Sequence, residues 1–271
     1  MAPELVLNRY RLASVVRRQG VATTYRAVDE QTGETVGVLL VSVPPEPRHL
    51  VRAFRIGSQL SHPGLITYHR EFEIEQHAGV VLDLVLGESL LVALGAPPVP
   101  GVLGVSQSRA FLALCDVVEY LHSQNLVHAN LAPGNVLMSS SGKLTVIDVG
   151  HCEELLAEER FWNDGFHGTP LYSSPEHQLA CLSVESDYFV LGTLLFEHLV
   201  GANPFEGAGF GDVLARVCTA DAGQIGSQTR ALPRALKECI ASLLSLSLTT
   251  RQAGWQSLRA LLVQCASIAP E

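Results

Sequence analysis

Hydrophobic and polar positions divide the chain into a strand-rich first third and a mostly helical remainder. Short apolar or alternating runs predict a strand that opens at 9–12 and is followed by a turn at Gln19–Gly20, and further strands at 23–28, 34–43, 66–74 and 79–86. Among them, apolar residues at helical spacing predict one helix over 48–60. The pattern therefore predicts a small β-rich part that contains a single helix.

After Gly87 the pattern becomes helical. Apolar residues recur on one face over 106–124, whereas Asp187 to Val200 is apolar nearly all round, which predicts a helix buried on most sides. Two closing helices are predicted at 232–248 and 254–265. A β-rich part followed by a larger helical part predicts the α+β class with two lobes.

Composition narrows the class of function. Charged residues make up 17% of the sequence, below the roughly 25% of an ordinary soluble domain. The hydrophobic fraction of 47% excludes intrinsic disorder for most of the chain. A net charge of −9 argues against a nucleic-acid partner, because phosphates repel an excess of that sign. Six scattered cysteines, with no signal peptide and no membrane-spanning run, predict reduced thiols and a cytoplasmic protein.

Seven motifs follow one another in a regular order. They are Leu60–Ile66, Leu82–Leu90, Leu126–Leu137, Val146–Gly150, Gly168–Glu176, Ser186–Tyr188, and Gly201–Phe205 with Arg251. In this order and spacing, over about residues 9–263, the chain resembles the protein-kinase catalytic core, in particular that of bacterial-type serine/threonine kinases. The resemblance implies a two-lobe α+β kinase-like fold, with an N-lobe at 9–82, a hinge at 83–87 and a C-lobe at 88–266.

The resemblance also implies where the charged groups of phosphoryl transfer belong, and four of these positions hold uncharged residues. Leu39 lies at the position of the strand lysine and Ala53 at that of its helix glutamate partner. Asn130 takes the position of the catalytic base and Ala132 that of the phosphate-contacting lysine. An amide is too weak a base to accept the substrate's proton. We therefore expect these four positions to be degenerate.

The phosphate-covering loop and the regulatory positions also depart from the family pattern. The three glycine positions hold Arg17, Gln19 and Ala22, although an arginine can still attract phosphate. Ala129 replaces the arginine that would bind an activation-loop phosphate, and residues 151–168 contain no Ser, Thr or Tyr. Control by phosphorylation of this loop is therefore not expected.

Other family positions are kept. Asn135 and Asp148 match the two metal ligands, so they either bind Mg²⁺ and ATP weakly or are now ordinary polar residues of loops. Four further residues match structural positions of the larger lobe: His128, Glu176, Asp187 and Arg251.

Loss of catalytic charge with retention of structural residues is typical of a pseudokinase. We therefore expect a domain that is not an enzyme, requires no cofactor, and acts as a protein-interaction scaffold or allosteric regulator. Its expected partner is an active kinase or a signalling complex. The candidate surfaces are the acidic segment 153–164 and the Pro-rich insertion 95–105, and the alternative for each is a solvated loop without a partner. Two alternatives stay open: a sensor of nucleotides or small molecules, and a residual or unorthodox serine/threonine kinase. Both would use Asn135 and Asp148 with Mg²⁺.

Overall fold

The chain forms two compact units. One comprises Met1–Leu86 and Ile147–Gly150, and the other comprises Gly87–Val146 and His151–Glu271. The structure is a computed structural model that describes residues 5–19, 22–42, 48–74, 77–97, 101–155, 169–179 and 181–267.

The first unit contains an antiparallel sheet of six described strands, in the order β1-β2-β3-β4-β6-β5. The strands are β1 (Leu5–Val6), β2 (Tyr10–Gln19), β3 (Ala22–Asp29), β4 (Thr35–Ser42), β5 (Tyr68–Ile74) and β6 (His77–Leu82). Helix α1 (Arg48–Gly57) lies between β4 and β5 in the chain. A cluster of buried side chains forms a core on this sheet: Val6, Tyr10, Ala27, Val38, Leu40, Phe72 and Val81.

Turn residues set the register of the sheet. Between β3 and β4, Gly33 has a φ of 74° and its N–H donates to the carbonyl of Asp29 at 2.7 Å. A left-handed φ of this kind favours glycine. This turn is followed by a register that places Thr24 of β3 opposite Leu39 of β4. The separate pairing of β2 with β3 places Arg17 opposite Thr24, directly after a register shift between Val15 and Arg17. Three neighbouring strands thus bring these residues into one row.

The second unit is mainly helical. Its helices are α2 (Leu90–Leu94), α3 (Val105–Ser123), α4 (Val184–Val200), α5 (Phe210–Thr219), α6 (Ala222–Gln228), α7 (Arg234–Leu243) and α8 (Leu248–Ala266). Its strands are β7 (Glu88–Ser89), β8 (Leu126–Val127), β9 (Val136–Met138), β10 (Leu144–Val146) and β11 (Glu153–Glu154). Strand β9 pairs with both β7 and β10, and β8 pairs with β11, all antiparallel.

Helix α4 is buried on nearly every side, as its apolar sequence predicts. Tyr188 stacks on Trp255 of α8 with 4.5 Å between ring centroids. Phe189 stacks on Phe205 with 5.3 Å between centroids. Aromatic stacking of this kind adds to the burial of apolar area, so α4 anchors the helices and loops around it.

Helix α8 is longer than the sequence pattern predicts. It begins at Leu248 rather than at 254, because Ser247 caps it by accepting a hydrogen bond from the N–H of Thr250 at 3.4 Å. Gly254 therefore lies inside the helix. A Cβ there would stand 2.9 Å from the Cβ of Ser242 on α7, so only glycine permits this close approach of the two helices.

The β-rich first unit and the helical second unit confirm the predicted α+β class. The lobe and hinge boundaries proposed at 9–82, 83–87 and 88–266 stay predictions. Within the described ranges, no helix is both long and apolar enough to cross a membrane.

Candidate active site

In the second unit, the loop after β8 is held by one buried carboxylate. Asp187 accepts hydrogen bonds from the backbone N–H of His128 at 2.9 Å and of Ala129 at 3.1 Å. Ala129 has a φ of 61°, in the left-handed region, which costs a residue with a Cβ about 1–3 kcal/mol. The two bonds from the backbone to Asp187 stabilise this strained conformation and fix the path of the loop.

His122, which no sequence motif singles out, contacts the same carboxylate. Its Nε2 lies 2.9 Å from Oδ2 of Asp187, and its ring packs edge-on against Tyr188. Burial by itself raises the pKa of the Asp187 carboxyl. The hydrogen bond from His122 and the imidazole and N–H of His128 more than offset this and hold that pKa below its usual range. Asp187 is therefore a buried, ionised anchor for the loop.

The loop presents an amide, Asn130, where phosphoryl transfer needs a carboxylate, and a methyl group, Ala132, where it needs a lysine. Asn130 and Asn135 are both buried, and Nδ2 of Asn135 donates to the carbonyl of Asn130 at 2.9 Å. The N–H of Asn130 donates to Nδ1 of His128 at 3.3 Å. Ala132, also buried, accepts from the N–H of Asn135 at 2.9 Å. The backbone is ordered by these bonds, but Asn130 and Ala132 carry neither a base nor a positive charge.

A buried ion pair lies elsewhere in the second unit. Nη1 of Arg251 donates to Oε1 of Glu176 at 2.5 Å, and the Arg251 side chain is fully buried. The hydroxyl of Ser186 donates to the same Glu176 oxygen at 2.8 Å. Burial works to raise the pKa of the Glu176 carboxyl, but the hydrogen bond and charge of Arg251 hold that pKa below its usual range. The pair joins the start of α8 to the segment before α4.

In the first unit, the two positions of the missing ion pair are uncharged. Leu39 lies in β4, half-buried, with Thr24 and Val80 as its neighbours across the sheet. Ala53 lies in α1, and its side chain is outside the described part. The strand therefore offers no cation at position 39.

Asp148 belongs to the first unit, in which its charge interacts with that of Arg17. Asp148 has a φ of 64°, a conformation that strains a residue with a Cβ. Burial lowers the pKa of the Arg17 guanidinium, and the negative charge of Asp148 works in the opposite direction. Arg17 nevertheless stays charged, because a guanidinium is not deprotonated in proteins. The sequence indicates that Arg17 replaces a glycine and can attract phosphate, whereas its electrostatic interaction with Asp148 is seen only in the fold.

The structure thus groups the predicted site residues within each unit. In the second unit, hydrogen bonds connect Asp187, His128, Asn130, Ala132 and Asn135. In the same unit, Glu176 forms an ion pair with Arg251. The first unit contains Leu39, Ala53 and Asp148. Of the candidate interaction surfaces, residues 156–164 of the acidic segment and 98–100 of the insertion fall outside the described residues.

The chemistry of the donors can be tested against the metal that the family fold implies. A carboxylate at Asp148 and an amide oxygen at Asn135 are the hard oxygen ligands that Mg²⁺ prefers. Asn135 belongs to the second unit and Asp148 to the first, and each by itself has the donor chemistry that suits Mg²⁺. Among the described residues, no group of three or more His, Cys, Asp or Glu residues has the geometry of a metal site.

The chain matches one family model and many known proteins. The protein kinase domain model matches residues 18–260. Relatives include the serine/threonine-protein kinase PKH3 of Eremothecium gossypii, 29% identical over 69% of this chain and 27% of its own. The probable serine/threonine-protein kinase PknB of Lactococcus lactis is 28% identical over 75% of this chain and 33% of its own.

A third relative is the serine/threonine-protein kinase PknA of Mycobacterium tuberculosis, 29% identical over 74% of this chain and 49% of its own length. The chain therefore spans about a quarter to a half of the length of these relatives. Two of the three are bacterial, which agrees with the bacterial-type resemblance.

These findings correct one expectation. The expectation of a pseudokinase that is not an enzyme is wrong. The matched family is the protein kinase domain, and the relatives are named as serine/threonine kinases, which are enzymes. Uncharged residues at four positions are departures within an enzyme family and do not remove the chain from it. The chain belongs to the protein kinase domain family.

Proposed function

We propose that this chain is a serine/threonine-kinase-type domain of phosphorylation signalling that transfers phosphoryl groups slowly and acts mainly as a regulator of protein partners. The observation that carries the proposal is Asn130, a buried amide at the position of the catalytic base. A positioned general base contributes about 10²–10⁴-fold to a proton-transfer step. The loss of this base lowers the rate, whereas the predicted metal ligands Asn135 and Asp148 are kept.

The retained framework supports a folded domain in which that chemistry persists. Asp187 holds the loop backbone through two hydrogen bonds, and the Glu176–Arg251 pair is buried and complete. Asp148 and Asn135 have the oxygen donors suited to Mg²⁺, which would neutralise charge on a bound triphosphate. Weak binding of Mg²⁺ and ATP is therefore part of the proposal.

The regulatory role is supported by which residues of the kinase pattern are replaced in this chain and which are kept. Residues needed for rate are replaced, whereas residues that hold the larger unit together are kept. A domain under these constraints keeps its surface and its shape while its own turnover is low. We propose an active kinase or a signalling complex as the partner, in the cytoplasm.

A phosphotransfer assay tests the slow-transfer part of the proposal. The native chain and Asn130→Asp are given labelled ATP with Mg²⁺ and a mixture of Ser- and Thr-containing peptides. We expect Asn130→Asp to raise the rate by about 100-fold or more, because it restores the base. Asp148→Asn, made in both backgrounds, is expected to abolish the signal and thereby excludes a contaminating kinase. A native rate of about 1–100 s⁻¹, typical of kinases, would refute slow transfer.

The regulatory part needs a separate measurement. An active serine/threonine kinase domain from the same organism is mixed with this chain at micromolar concentration. We expect a complex of defined stoichiometry in sedimentation velocity and a changed rate of the active kinase. If neither the sedimentation nor the rate changes for any kinase of that organism, the regulatory role is wrong.

A further inference from the structure

Arg17 lies on the sheet face from which the strand lysine is missing. The register pairs Arg17 with Thr24, and Thr24 with Leu39, across strands β2, β3 and β4. Residues directly opposite one another in antiparallel strands project to the same face. Arg17 and Leu39 therefore share one face, with their backbones about 10 Å apart, or two strand spacings. An arginine side chain spans much of that distance.

The charge of Arg17 interacts with that of the predicted metal ligand Asp148. Arg17 is half-buried, and the Asp148 carboxylate of the same unit acts on it electrostatically. Thr24, in the same row, is also half-buried and adds a hydroxyl to this face. A cation and a hydroxyl thus lie in the row in which position 39 contributes only an apolar side chain, and the cation is within electrostatic range of a carboxylate.

We propose that Arg17 is the phosphate-binding cation of this chain and supplies, from β2, the charge that a lysine at position 39 would supply from β4. The ligand class is a nucleoside triphosphate with Mg²⁺, so the inference rests on the proposed binding of ATP. A guanidinium suits this task because its planar donors bind two phosphate oxygens at once. Arg17 also explains why Leu39 is tolerated: the positive charge comes from another strand.

A purely structural role for Arg17 is the competing explanation. In that case Arg17 would neutralise Asp148 within the folded unit and have no contact with phosphate. Its removal would then lower the melting temperature without a specific effect on nucleotide affinity. The two roles are therefore separated by measuring affinity and stability on the same variants.

The neighbouring Arg18 provides a matched control. It follows Arg17 in the same strand, is opposite Thr23, and is exposed. Successive residues of a strand point to opposite faces, so Arg18 projects away from the row of Arg17. Arg18→Ala removes the same charge as Arg17→Ala from nearly the same place in the chain. Only a role specific to the Arg17 face distinguishes the two variants.

The experiment measures the dissociation constant of a fluorescent ATP analogue with Mg²⁺. We expect Arg17→Ala to weaken binding about tenfold or more, as loss of a charged hydrogen bond implies, and Arg18→Ala to change it less than twofold. Adding Leu39→Lys to Arg17→Ala should restore most of the affinity, which also shows that the variant folds. Equal effects of Arg17→Ala and Arg18→Ala would overturn the inference, even if the native chain binds ATP.

Inorganic tripolyphosphate, used as a second probe, separates this inference from the proposed function. If the native chain binds tripolyphosphate but not ATP, and Arg17→Ala abolishes that binding, Arg17 is the phosphate ligand while the proposed nucleotide binding is wrong. If the native chain binds neither probe up to millimolar concentration, both proposals are refuted.

Discussion

The buried pair of Glu176 and Arg251 leads to a sharp prediction about stability. Arg251 is fully buried; its Nη1 donates to Glu176 at 2.5 Å and its Nε to the carbonyl of Ser245 at 2.5 Å. Its guanidinium also lies 4.8 Å from the centroid of the Phe189 ring. Because these contacts hold the guanidinium in place, it cannot turn to water when the carboxylate is removed.

The expected loss of stability in Glu176→Ala follows from the buried charge of Arg251, which this variant leaves without its carboxylate partner. Removing one member of a buried ion pair costs about 3–5 kcal/mol. For a domain of this size, a loss of 1 kcal/mol in the free energy of unfolding lowers the melting temperature by about 2–4 °C. Glu176→Ala should therefore lower the melting temperature by about 6–20 °C. Glu238→Ala is the control, because its partner Arg234 is 89% exposed and Glu238 itself 61%. Exposed pairs contribute about 1 kcal/mol or less.

The assay is thermal and urea unfolding, followed by circular dichroism and tryptophan fluorescence. Combining Glu176→Ala with Arg251→Met should recover part of the loss, because the double variant no longer buries an unpaired charge. The reasoning would be refuted by a Glu176→Ala variant that melts within about 2 °C of the native chain, or by an equal loss in Glu238→Ala.

Two pH-dependent predictions follow from other buried contacts. Asp29 accepts two hydrogen bonds from Arg9, and these are the main reason why the pKa of its carboxyl is lowered to about 2. The contribution of Asp29 to the stability of the fold is therefore fully present above about pH 4 and is lost as the pH falls towards 2. The difference in melting temperature between the native chain and Asp29→Asn should shrink over that interval; a constant difference would contradict this. Burial lowers the pKa of His198, which packs on Phe111 at 5.8 Å, so stability falls as pH drops below about 6.5. His198→Phe should gain in melting temperature relative to the native chain between pH 7 and 5, and a parallel decline of both would refute the assignment.

Much of the fold could be predicted from the periodicity of apolar positions. Strands β2 to β6 and helices α3 and α4 lie near their predicted places, because long, strongly patterned segments have a single face or a whole surface to bury. The start of α8 was not predicted, since Gly254 inside a helix is explained only by the close approach of α7. The short helices α5 and α6 were also not predicted.

The sequence by itself determined the family and the identity of each residue at the motif positions. It showed that 39, 53, 130 and 132 are uncharged, because motif spacing is a property of the chain alone. It led to a wrong conclusion about enzymatic class, since the loss of individual charges does not define the family.

Only the tertiary structure decided which charged groups interact with one another. His122 reaches Asp187 because α3 and α4 pack together, and Arg17 comes under the influence of Asp148 because both belong to the first unit. Neither interaction has a sequence spacing that could reveal it, because electrostatic and hydrogen-bond energies depend on distance in space. The cation missing at position 39 was therefore visible in the sequence, whereas its candidate replacement became visible only in the folded sheet.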